Sequence, residues 1–229
     1  MMVSMKKVHS LFFELIQVSV GQLDCLTRGP ESEEWLELYE ISKQQHVEGI
    51  SYQGVMKLFE FGLRAPQDVS LDWMAEAEII RETNEMAEKP SALAQCYGEE
   101  LRDLRQPSAK ELPTASKLTI QYLYKQFLHH QLDMRLLLDY YFVLRKNSGR
   151  YESLKGGGLL DSWGVRRFAR GVMWMLQETM NLDKQYMPFE PLEIEGRFLL
   201  NDMMQEASML ERVAHVLFTY PLGIKDLRA

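Results

Sequence analysis

The sequence predicts an all-α protein, an irregular bundle of about eight or nine helices with no substantial sheet. Three observations carry this. Apolar residues recur at three- and four-residue spacing through nearly the whole chain. No segment of strand length alternates apolar and polar residues between turn signals. Glycine (14) and proline (8) are too few in 229 residues for a many-turned β fold.

The first helix is expected over roughly 5–22, where Val8, Leu11, Phe12, Leu15 and Val18 share a face and Gly21 provides a stop. After the turn at Thr27–Pro30, Ser32 reads as the N-cap of a second helix, with acids in its first turn and Trp35, Leu38, Tyr39 and Ser42 on its dry side. A third helix is expected at about 50–62 on Val55, Leu58 and Phe59, closed by Gly62. Ser70 would cap a fourth, with Trp73, Ala77 and Ile80 inward, Asp72, Glu76 and Arg81 in water, and Pro90 as its end or kink. Helical pattern resumes after Ser91.

The segment 107–113 begins and ends with proline and is polar between, which makes it the expected linker. It separates an N-terminal helical region, 1–106, from a C-terminal one, 114–229, and the two are compatible with one packed domain. Thr114 or Ser116 would cap the next helix, to about 129. Further helices follow at about 132–146 and 164–180, around a loop from Asn147 to Gly158, and the last runs as one long helix from about 193 to 219. Tyr140, Tyr141, Phe142, Met173, Trp174 and Met175 read as core.

Charge narrows the function classes. A net charge of −7 disfavours nucleic-acid binding through a global positive field. No run of apolar residues is long enough to span a bilayer, and no cleavage site follows the first apolar stretch, so neither a membrane helix nor a signal peptide is expected. Cys25 and Cys96 lie far apart without ligand partners. Two reduced thiols in a cytoplasmic protein, and no structural zinc, are the expectation.

Candidate chemistry is thin. The run Lys155–Gly158 lacks the GK[ST] of a P-loop and reads as an ordinary loop. Two-metal phosphoryl transfer wants carboxylates that share a face, as i and i+2 do on a strand. Here Glu76/Glu78 sit on a helix and diverge by about 200°, while Glu31/Glu33 and Glu193/Glu195 open helices and suit the dipole there. His9, His46, His129, His130 and His215 form no ligand set. Arg166 and Arg170 stand one turn apart and could grip a phosphate. Solvated arginines pairing with acids, Arg167 among them, are the plainer reading.

Several stretches taken together resemble an uncharacterised bacterial nucleotidyltransferase family. They are HSLFFELIQVSVG, EEWLELYEISKQQHVEGISYQGV, YGEELRDLRQP, RLLLDYYFV followed by LRKN, and GVRRFARGVMWMLQE, in the family's order. The likeness covers most of 8–105 and about 113–205. In that family an L-K-G strand precedes the Y-G-x-x-L-R helix, and a G-D-x-D pair that binds metal follows. Tyr97, Gly98, Leu101 and Arg102 match the start of that helix and Arg105 the arginine before G-D-x-D. The resemblance therefore makes Tyr97, Arg102 and Arg105 candidate substrate-binding residues.

The match then breaks. Ser108-Ala109-Lys110 stand in place of the acids, and L-K-G is missing between Lys89 and Ala92. The resemblance implies a shortened member. Its family would use Mg2+ and a nucleoside triphosphate, but this chain lacks the carboxylate pair to hold them, so no metal, no cofactor and no nucleotidyl transfer are expected. An active transferase would need acids from elsewhere, Asp133, Asp139 or Asp161, converging on Arg102, Arg105 or Arg170. The third reading is a helical interaction module. Helices that have lost a sheet expose an apolar face, which a protein partner or a second copy would cover.

Overall fold

Residues 8–18 are apolar at seven of eleven positions, too many for one stripe. In the computed structural model, which describes residues 7–87, 112–146 and 165–219, they form a helix buried on nearly every side, α1 (Lys7–Ser19). The chain is all-helical: nine α-helices and one short 3-10 turn, with no strand among the described residues. None of these helices is long and apolar enough to cross a membrane. The chain divides into two compact units, Met1–Lys89 with Thr179–Asn181, and Pro90–Glu178 with Leu182–Ala229.

In the first unit α1 packs against α2 (Ser32–Gln44) and α3 (Glu48–Glu60), and α3 packs against α4 (Gln67–Ala87). The α1–α3 crossing is close because Gly54 carries no side chain; a Cβ there would lie 2.8 Å from the Leu15 carbonyl oxygen. One turn on, Lys57 Nζ donates to the Val18 and Ser19 carbonyls at 3.0 and 2.9 Å, which places a cation on the C-terminal end of α1. Gln17 Nε2 donates to the Thr179 carbonyl at 3.0 Å and Gln17 Oε1 accepts from Asn181 Nδ2 at 3.0 Å. Trp73 of α4 is fully buried against Tyr39 of α2, and its indole N–H donates to the Glu48 carbonyl and the Ser51 hydroxyl.

Several sequence expectations shift here. The second helix is capped by Glu31, not Ser32. The Glu31 carboxylate accepts from the Glu34 backbone while the Glu34 carboxylate accepts from Glu31 N–H at 2.8 Å, a capping box built from two acids. Helix α4 begins at Gln67, directly after Pro66, with Ser70 already inside its first turn. Phe59 is 49% exposed under the Arg64 guanidinium instead of lying in the core.

Arg28 grips Glu34 in a fork, its two terminal nitrogens 2.6 and 2.5 Å from the two carboxylate oxygens. That fork, then the Glu31 N–H, hold the Glu34 carboxyl down at about 2. A carboxyl lowered by folding contributes stability above its ordinary value of 4.5 and loses it as pH falls toward 2. Arg28→Ala is expected to move the Glu34 carboxyl up toward 4.5, read by carbon-13 NMR titration. An unmoved titration would remove the fork as the cause.

The second unit contains α5 (Leu112–Leu128), α6 (Met134–Lys146), α7 (Arg166–Met180) as far as Glu178, α8 (Glu193–Met203) and α9 (Met209–Thr219). The last two residues of the expected linker, Leu112 and Pro113, open α5, where proline's missing N–H costs nothing. The helix therefore starts ahead of the caps expected at Thr114 or Ser116. Asp133 caps α6 by accepting from Leu136 N–H at 2.9 Å. Phe168 of α7 packs on Tyr124 and Phe127 of α5, with ring centroids 5.3 and 5.6 Å apart. Of the residues read as core, Tyr140, Tyr141, Met173 and Met175 are buried, Trp174 is half-buried and Phe142 is exposed.

The single long helix expected over 193–219 is two helices. Gln205 takes a left-handed conformation (φ 57°), Glu206 N–H returns to the Asn201 carbonyl at 2.8 Å, and Gln205 N–H to Asp202 at 3.1 Å. This is the Schellman closure. The chain then restarts on Ser208: its N–H donates to the Glu211 carboxylate at 2.9 Å and its hydroxyl accepts from Glu211 N–H at 3.2 Å. Those two bonds to Ser208, backbone first, hold the Glu211 carboxyl below its usual range.

Candidate functional site

The densest polar chemistry among the described residues lies where α7, α8 and α9 of the second unit meet. Glu195 sits in the first turn of α8, a position that by itself suits a solvated acid. Its side chain is instead 0% exposed. Oε2 accepts from Arg167 Nε of α7 at 2.6 Å, and Oε1 lies 2.8 Å from His215 Nε2 of α9. Room for the carboxylate comes from Gly171, where a Cβ would stand 2.7 Å from Glu195 Cγ. Beside it a Cβ on Gly196 would collide with the Trp174 ring, so α7 and α8 meet through paired glycines. The His215 ring stacks on Phe198, with centroids 3.6 Å apart and planes 15° apart.

A second ionic contact lies on the same α8–α9 pair. Arg212 of α9 is 4% exposed; it pairs with Asp202 of α8, donates to the Phe127 carbonyl and lies over the Phe127 ring. Burial first, then the Arg212 charge, push the His130 imidazole below its ordinary range, with Asp202 pulling the other way.

Charges removed from water must be paired. Each buried charge here spends its hydrogen bonds on a neighbour inside the protein. A carboxylate that fixes a histidine ring is the orienting half of many acid–base devices, but Glu195 is shared with an arginine, which makes it a polar tie between α8 and the helices on either side of it.

The structure brings together residues that sequence reasoning kept apart. Glu195 was expected to complement a helix dipole and His215 stood alone; they are bonded partners. Asp202 and Arg212 were not singled out. Of the arginine cluster, Arg167 meets Glu195, Arg170 Nε donates to the Glu190 carbonyl at 2.9 Å, and Arg166 is exposed. Asp133 serves as a cap and Asp139 lies half-buried on α6. Tyr97, Arg102, Arg105, Asp161 and Cys96 lie outside the described residues. Cys25 is an exposed free thiol. No group of three or more histidine, cysteine or acidic side chains that could hold a metal ion occurs among the described residues. No protein-family model matches the chain, and no curated protein or solved structure matches it either.

Proposed function

We propose that the chain is a non-catalytic helical interaction protein of the cytoplasm, a shortened member of a nucleotidyltransferase-like family, and that the outward side of α9 is its contact surface. The orientation of α9 supports this reading. An ordinary surface helix turns its apolar stripe inward and its charges outward. Helix α9 does the reverse: Arg212 and His215 point at α8, while Leu210 is 82% exposed and Val213 and Leu217 are exposed beside it. Residues 210, 213 and 217 have coiled-coil seam spacing, which a helix of the same pattern can match. The occupant we assign is a second copy of this chain, because an uncharged apolar seam is complementary to itself about a two-fold axis.

The test is sedimentation velocity across a micromolar concentration series. The wild type is expected to self-associate. Leu210→Glu with Leu217→Glu is expected to weaken association at least about tenfold while changing the thermal midpoint little, since both side chains are exposed in the single chain. A wild type that stays monomeric throughout overturns the self-association. Magnesium-dependent incorporation of a labelled nucleotide, abolished by EDTA, overturns the non-catalytic half of the reading.

A further inference from the structure

Helix α9 differs from its neighbours in what holds it. On α7 the side chains of Phe168, Val172, Met173, Met175 and Leu176 are all at 0% exposure. On α9, among the described side chains, the buried ones are Arg212 and Val216. The other contacts of its described side chains include polar bonds and ring stacking: Arg212 to Asp202 and to the Phe127 carbonyl, His215 to Glu195 and Phe198. A helix held by many buried apolar contacts opens only with the whole domain; one held by a few directional contacts opens alone.

The backbone is built for that separation. Helix α8 completes its own C-terminal closure through Asn201, Asp202 and Gln205, and α9 completes its own start through Ser208 and Glu211. Where α8 ends and α9 begins, the described terminal hydrogen bonds are made within each helix's own segment, so detaching α9 breaks none of them.

We infer that α9 is a detachable strap, opening as a unit while the rest of the second unit stays folded, with the Asp202–Arg212 pair as the latch that sets how often. Removing one member of a buried ion pair leaves the other uncompensated and drives it toward water. Here the way to water is the departure of α9. The inference gives the proposed contact surface its regulation and rests on that reading for its use. The two fail separately, because opening is read from amide exchange and contact from association.

The experiment is hydrogen exchange of the full chain at neutral pH, followed by mass spectrometry. In the wild type, peptides covering 209–219 are expected to exchange at least about tenfold faster than those covering 166–178. Asp202→Asn and Arg212→Met are each expected to speed 209–219 by about a further tenfold and leave 166–178 unchanged. Equal rates for the two segments in the wild type overturn the strap. Variants that speed both segments in step, or neither, overturn the latch. Should a variant fail to fold, wild-type exchange in low urea decides. A strap opens with little dependence on urea, because it exposes little surface, whereas a helix that opens only with the whole unit follows the steep dependence of global unfolding.

Discussion

Trp73→Ala is expected to destabilise the protein by about 3–5 kcal/mol, the range for emptying a buried aromatic site. Trp73 is fully buried, and helices α2 and α3 converge on it through Tyr39 and through Glu48 and Ser51. Removing the indole therefore opens a cavity between three helices that cannot all close in. Trp73→Phe separates packing from hydrogen bonding. It keeps most of the ring and loses the indole N–H, while the Ser51 hydroxyl retains its bond to the Val47 carbonyl at 2.8 Å. That variant is expected to cost about 1–2 kcal/mol. Urea unfolding followed by far-ultraviolet circular dichroism measures both. Equal losses would show that the N–H bonds, and not the volume, hold the site.

The second large effect is expected at Gly54. In a helix, alanine normally gains about 1 kcal/mol over glycine. Here the new Cβ would meet the Ser19 hydroxyl and lie 2.8 Å from the Leu15 carbonyl oxygen, a backbone atom that cannot rotate aside. Overpacking of about 1–3 kcal/mol outweighs the propensity gain, so Gly54→Ala is expected to be net destabilising and Gly54→Val to cost about 3 kcal/mol or more. Gly62 is the control. It has φ +87° and nothing within 4 Å of its would-be Cβ, so Gly62→Ala is expected to cost only the left-handed penalty of about 1 kcal/mol. If Gly54→Val costs no more than Gly62→Ala, the close α1–α3 crossing is wrong.

Helix content was legible because periodicity of 3.6 is a local property, and every helix expected over the described residues is present, with α8 and α9 read as one. Ends were legible where glycine marks them, at Gly21 and Gly62, both in the left-handed region. One was hidden where a larger residue takes the same conformation: Gln205 does so, and nothing in its side chain announces it. The break between α8 and α9 did carry a signal, the Ser208-x-x-Glu211 box, but the apolar pattern runs straight across it. The ionic cluster was not legible at all. Glu195 lies 28 residues from Arg167 and 20 from His215, and the pairing exists only because Gly171 lets α7 and α8 approach.

That glycine has a consequence for how this sequence can change over generations. The Glu195 side chain occupies the space a Cβ on residue 171 would need, so neither position can be altered freely while the other stays as it is. A chain with alanine at 171 should carry a shorter residue at 195, and one that shortens 195 is released to put a side chain at 171. In descendants of this protein the two positions should change as a pair, and Arg167 and His215 should be freer to vary when the carboxylate goes, since each would then have lost its Glu195 partner. Comparing sequences from related genomes would find this coupling across 24 positions of chain, without a structure in hand.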